Sequence, residues 1–315
     1  MNFKVLALAL LLSVSAQASE FIPPHCYEIL SLHEAEDFAL APSLSLVFSA
    51  ESKTGVAGLK AFRTGDKGLG RIPVTVTHWT GQPLQSHGID FFDGEAKTLF
   101  VVNRASDTVE LFEVISSGLP VEKIELRYKS TVISTLIRSP NDVRAISAHE
   151  FFVSNDMLNI LSQTGNLVFC RGKNCKIVRD KIHYANGLAS RREGSSLLLF
   201  NSETLENAIQ VYTVGKGGKL TPKYRINLPF GPDNLQFDTV GDLWVAALPK
   251  PANIAFGLTG PSAVFRLRQK SPGHWARKLQ LFTNGEMINS GTGAVGFDGH
   301  FLVTSVHDSK SYWCR

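Results

Sequence analysis

Five short segments of the chain group side-chain oxygens in a way that suits a hard cation. They are Glu36 with Asp37, Asp90 beside His87, Asn141 with Asp142, Asn186, and Asp233 with Asn234. Calcium takes about six to eight oxygens from carboxylates, amide carbonyls and backbone carbonyls, and two carboxylates with three asparagines meet that need. Zinc asks for imidazole or thiolate, and magnesium keeps more of its waters. Any one of these pairs, met alone, is an ordinary turn. Their common phase carries more weight, because Asn141, Asn186 and Asn234 recur at intervals of about one structural repeat.

That repeat has a second component. Six β-rich bursts run down the chain: Leu44-Ser-Leu-Val-Phe, Leu99-Phe-Val-Val, Phe151-Phe-Val-Ser, Leu197-Leu-Leu-Phe, Leu243-Trp-Val-Ala and Phe301-Leu-Val-Thr. They are spaced by about 45–60 residues, a period that signals a propeller when the units are strands. β-branched and aromatic residues dominate them, as strands prefer. About a dozen residues before each burst lies a polar lead-in segment, the sixth being Gly291-Thr-Gly-Ala. A blade is a four-stranded sheet whose first strand lines the central channel. Six blades therefore deliver six lead-in segments to one mouth, and five of them carry side-chain oxygens. The fold expected is all-β, a six-bladed β-propeller with a central tunnel holding calcium. A β-sandwich does not explain two elements that repeat in phase.

The first residues read as a targeting segment. Lys4 is followed by the apolar run Val5 to Val14 and the small-x-small site Ala16-Gln17-Ala18. A membrane span needs about 20 apolar residues, so no transmembrane segment is expected. Residues 1–18 are thus expected to be a cleavable signal peptide and 19–315 the propeller. The product would be exported: periplasmic in a Gram-negative cell, secreted otherwise. In such a compartment Cys26, Cys170, Cys175 and Cys314 are expected to form two disulfides. Cys170 and Cys175 flank a turn-like Arg-Gly-Lys-Asn, and Cys26 and Cys314 stand near the two ends of a ring that must close. A zinc site built on the close pair lacks a second pair of ligands. A net charge of +4, with lysines and arginines scattered, gives no nucleic-acid footprint. Nothing in the sequence sets an oligomeric state.

Glu-Asp-Phe, His-Gly-Ile, Pro-Asn-Asp-Val, Ala-Asn-Gly, and Asp-Asn followed by Gly-Asp-Leu-Trp-Val resemble, in order, the serum paraoxonase and arylesterase family. The last blade, Gly291-Thr-Gly-Ala-Val through Tyr312-Trp-Cys-Arg, resembles it too, and gluconolactonase-type propellers are similar more remotely. The resemblance implies two calcium ions. A catalytic ion would be held by Glu36, Asn141, Asn186, Asp233 and Asn234, and a structural ion by Asp37, Asp142 and the carbonyl of Ile89. It also implies a Cys26–Cys314 disulfide. The activity implied is hydrolysis of a small-molecule lactone or aryl ester, with the metal polarising the carbonyl.

His87 matches the family's proposed general base. The family's second histidine falls in Val102-Asn103-Arg104, where this chain has Arg104, which cannot accept a proton and would lower the pKa of a nearby His87. Another histidine of the family is replaced by Leu248, which makes the pocket more apolar. Glu36 or Asp233 could activate water in place of a histidine. The alternative is a non-catalytic exported propeller that binds a small ligand or partner, with structural calcium. A propeller that condenses or isomerises small molecules is a third reading, which no residue favours. Specificity would come from loops around Trp79, 157–163 and 249–259.

Overall fold

The computed structural model describes residues 19–23, 25–29, 32–63, 69–80, 83–156 and 164–315. The expected signal peptide, residues 1–18, lies outside the described residues, as does the expected loop at 157–163. The fold is a six-bladed β-propeller. Its six inner strands are Ala35–Ala41, Ser86–Phe92, Pro140–Ala145, Ala185–Glu193, Gly231–Phe237 and Gly293–Phe297. Each starts an antiparallel sheet in which successive strands lie farther from the axis. We number the blades one to six in that order. Blade two has a fifth strand, Val74–Thr77, which runs parallel to Lys123–Ile133.

The apolar bursts are the second strands of the blades, and their unbroken hydrophobicity has a geometric cause. Successive side chains of a strand point to opposite faces. In Thr98–Asn103, Leu99 and Val101 face the core shared with Phe48 of blade one. Phe100 and Val102 face the core shared with Phe151 and Val153 of blade three. A strand packed on both faces has no room for a polar alternation. The first burst differs slightly from its expected bounds: Leu44 closes a short 3-10 turn, and the strand itself is Leu46–Glu51.

The ring closes by sharing a blade between the chain's two ends. Cys26–Glu28 pairs antiparallel with Tyr312–Cys314 and forms the outer strand of blade six. Cys26 and Cys314 face each other in that register and are joined by a disulfide. A second disulfide, Cys170–Cys175, ties the hairpin Gly165–Arg171 to Asn174–Ile182 in blade three. Two disulfides fit an oxidising compartment. Among the described residues no helix is long and apolar enough to cross a membrane.

Candidate functional site

Five of the six inner strands are irregular at their mouth ends. In blade one Ala35 pairs with Glu51 but Phe38 pairs with Ser49, so one residue is extra. The same shift occurs between Ser86 and Ile89, Pro140 and Asp142, Ala185 and Leu188, and Pro232 and Leu235. A β-bulge bends its strand and re-aims a side chain. The bulged stretches hold Glu36 and Asp37, His87, Asn141, Asn186, and Asp233 and Asn234. The sixth inner strand, Gly293–Phe297, pairs regularly with His300–Thr304 and carries no candidate ligand. The polar lead-in segments thus belong to the inner strands themselves, aimed at the axis by bulges.

These stretches touch one another around the axis. Asn234 donates its amide to Glu36 Oε1 at 2.7 Å, linking blades five and one. Asn186 donates its amide to Thr204 Oγ1 at 3.1 Å, and Thr204 donates to the carbonyl of Pro232 at 2.7 Å, which links blades four and five. His87 Nε2 lies 3.7 Å from Glu36 Oε1, across blades two and one. Gly88 backs so closely onto Asn141 and Asp142 that a Cβ there would stand 2.4 Å from Asp142 Oδ1. Thr292 of blade six donates its hydroxyl to the carbonyl of Glu36 at 2.9 Å.

Four oxygens in this cluster are buried without a hydrogen-bond partner: Glu36 Oε2, Asn141 Oδ1, Asn186 Oδ1 and Asn234 Oδ1. Leaving one such group unsatisfied costs about 1–3 kcal/mol. Four of them from blades one, three, four and five, at the same end of the axis, are a donor set for a hard cation. Among the described residues no three His, Cys, Asp or Glu side chains group as a metal-binding cluster. The fit therefore rests on amide oxygens, which suit calcium and not zinc.

The carboxylates show the same electrostatic need. Burial, then Asp37, Asp233 and Asp142, raise Glu36 well above the usual carboxylate range. Burial is likewise the main cause that pushes Asp233 up to about 8 and Asp37 up to about 7. Asp142 is raised by burial and by Asp37. Asp37 and Asp142 differ from the first group in already having partners. Asp37 Oδ2 accepts the N–H of Ile89 at 3.2 Å, and Asp142 accepts those of Val143 and Leu188, both at 2.6 Å. Asp37 thus ties blade one to blade two, and Asp142 ties blade three to blade four.

His87 has a partner that constrains its chemistry. Arg104 Nη1 lies 3.2 Å from His87 Nε2. Arginine can only donate, so Nε2 accepts and the ring proton sits on Nδ1. Burial, then Arg104 and His307, hold His87 well below the ordinary histidine range, so it is neutral. Arg104 also donates to Ser139 Oγ at 3.2 Å and pairs with Asp156, which in turn accepts from Ser139. The expected effect of Arg104 on His87 is therefore present.

Asp156, Ser139 and Tyr184 belong to this mouth and escape the sequence reading. Asp156 follows the second strand of blade three, Glu150–Asn155, and Ser139 and Tyr184 stand just before inner strands. Glu34, Ser139 and Tyr184 all adopt positive φ, and their carbonyls accept the N–H of Ser52, Asp156 and Thr204. The last residue of three second strands braces the turn before an inner strand: Glu51, Asn103 and Asn155 accept the N–H of His33, Gln85 and Arg138. The in-phase polar residue that ends these strands was the available signal. Two expected pocket features fall elsewhere or gain detail. Trp79 does not wall the mouth; it packs on Phe112 and Tyr128 in the core of blade two. Leu248 ends its strand buried opposite Gly231.

A six-bladed propeller with buried, converging asparagine and carboxylate oxygens at one end of its tunnel defines a class, and sequence comparison places the chain within it. The family model described as Arylesterase matches residues 71–315, and the chain belongs to that family. It is similar to mouse serum paraoxonase/arylesterase 1, at 27% identity over 92% of this chain and 88% of the mouse protein. Human serum paraoxonase/arylesterase 2 is 24% identical over 98% of this chain and 94% of the human one. Among solved structures, a luciferin-regenerating enzyme aligns with a TM-score of 0.58 at 12% identity, over 92% of this chain and 94% of that one. A gluconolactonase from Xanthomonas campestris aligns at 0.54 and 13%, over 95% and 98%. At those identities the structures speak for the fold alone.

Proposed function

We propose that the protein is a calcium-dependent hydrolase of lactones, aryl esters or both. The observation that carries this reading is the set of four buried, unpartnered oxygens on Glu36, Asn141, Asn186 and Asn234. Those residues, with Asp233, would hold one ion, and Asp37, Asp142 and the Ile89 carbonyl a second. Membership of the arylesterase family supports the reaction class. When bound, calcium would polarise the acyl carbonyl and stabilise the oxyanion that develops on attack.

The chain's own residues supply the rest. Water attacks the acyl carbon, the acyl–oxygen bond breaks, and the proton lost by water ends on the leaving alkoxide. The group that takes that proton must reach it directly or through one water. His87 offers Nε2 only when Arg104 turns away, because that nitrogen is the acceptor of the arginine's bond. Glu36 and Asp233 stand in the same cluster, and in our reading they share or replace the base role. Arg104, braced by Ser139 and Asp156, holds His87 neutral and fixes its ring.

The test is a panel of lactones and aryl esters assayed on the mature protein with calcium and after chelation. Turnover that disappears on chelation and returns with calcium is expected. Calcium should also raise the melting temperature, since a ligand at 100 times its Kd stabilises by about 2.7 kcal/mol. The engagement of His87 Nε2 by Arg104 favours one rival, a ligand-binding propeller without catalysis. Calcium-stabilised folding with no turnover on any substrate would establish that rival.

A further inference from the structure

The far end of the tunnel carries a second cavity, of about 350 Å³. Its walls come from the ends of the inner strands opposite the mouth: Leu40, Phe91 and Arg144 lie beyond Asp37, Ile89 and Asp142 on the same strands. Leu40 of blade one, Phe91 and Phe92 of blade two, Leu197 of blade four and Phe237 of blade five give it an apolar wall. Three arginines also line it, and two are committed elsewhere. Arg144 donates to Asp90 at 2.6 Å and to Ser190 at 2.9 Å. Arg191 stacks on Phe200, Phe237 and Trp275 and bonds to Gln269 and Glu193.

Arg192 is different: it is exposed and, among the described residues, has no ion-pair or hydrogen-bond partner. The two acids on the wall do not compete for it. Asp93 is held by Ser43 and Lys97. Asp238 accepts the indole N–H of Trp244 at 2.9 Å and the N–H groups of Val240 and Asp242. The result is an open chamber with an apolar wall and one uncommitted cation at its rim.

We infer that this chamber binds a medium-chain carboxylate, with the alkyl body against Leu40, Phe91, Phe92, Leu197 and Phe237 and the carboxylate on Arg192. Apolar burial supplies affinity along the chain, and a guanidinium–carboxylate pair fixes the head group. A cavity of this volume lies within the usual range for small-molecule sites.

The experiment titrates octanoate into the calcium-loaded mature protein by calorimetry, with octanol as the neutral analogue. Saturable octanoate binding is expected, with octanol about tenfold weaker. Arg192→Ala should weaken octanoate about tenfold and leave octanol unchanged, which matches one charge-assisted contact of about 1.4 kcal/mol. Hydrogen exchange on the same complex should slow in peptides covering 89–93 and 190–197. The inference is overturned by the absence of saturable octanoate binding, by equal affinity in Arg192→Ala, or by protection that falls on 102–107 and 184–187 at the mouth.

Discussion

At Asn234 the amide nitrogen is spent on Glu36 while the amide oxygen stays buried and unpaired. A side chain so placed is poised for something outside the protein's own hydrogen-bond network. His87 is the reverse case, a ring whose one basic nitrogen is already occupied by Arg104. The two environments lead to unequal costs of mutation. Asn234→Ala and Asp233→Ala are each expected to lower kcat/KM at least about 100-fold, since even outer-shell changes at metal sites cost about 10–100-fold. His87→Ala should cost less than about tenfold. The comparison is read from steady-state kinetics on a responsive lactone at saturating calcium, with metal content measured alongside. Loss of all turnover in His87→Ala, with calcium still bound, would restore the histidine as the sole base. The pattern of residue types was readable from the chain. The occupation of Nε2 was not, because it depends on a contact between the inner strand of blade two and the turn that follows its second strand.

The bulge is the element that turns this composition into a site. It needs close backbone approach between blades, and two glycines provide it. A Cβ on Gly187 would stand 2.5 Å from the carbonyl oxygen of Asp233 and 2.6 Å from the Cα of Asn234. Gly187→Ala is therefore expected to destabilise the protein by about 1–3 kcal/mol, the usual cost of overpacking. Calcium affinity should fall with it, because blade five must shift away from Asn186; chemical denaturation and metal titration would measure both. The lead-in segments were legible as a repeat, but a bulge shows only in the strand pairing.

Blade five offers a check at the same scale away from the site. Burial pushes Asp242 up, but hydrogen bonds and charge from Arg268 and Arg266 outweigh it and hold the carboxyl below the usual range. A carboxyl depressed in the folded state contributes stability above its unfolded pKa of about 4 and loses it as pH falls through the folded value. Asp242→Asn should thus be less stable than the parent at pH 7, and the gap should close as the pH falls below about 4. Thermal melts across that range would show it; a gap independent of pH would assign the loss to packing.

For the molecule as a whole, the decisive feature is the shared sixth blade. Its outer strand comes from residues 26–28 and its other three from residues 293–314, so both ends of the chain are held by one sheet and one disulfide. Joining residues 288 positions apart removes conformations from the unfolded chain. Replacing both Cys26 and Cys314 by serine is expected to cost about 2–5 kcal/mol. Replacing Cys170 and Cys175, whose loop is only five residues, should cost less. Paired melting curves of the two double variants decide the order.

The chain by itself determined the number of blades, because strands packed on both faces must be apolar throughout and their bursts can be counted. It also pointed to the residues that carry oxygens toward the mouth, because they keep phase with the bursts; Asp90 is the exception, held instead by Arg144 and the N–H of Ala145. What the tertiary structure decided was which atoms remain free. Whether an asparagine oxygen is bonded, whether a histidine nitrogen is engaged, and whether an arginine such as Arg192 has a partner all depend on neighbours from other strands and blades. Spacing along the chain cannot set those distances; closure of the ring does.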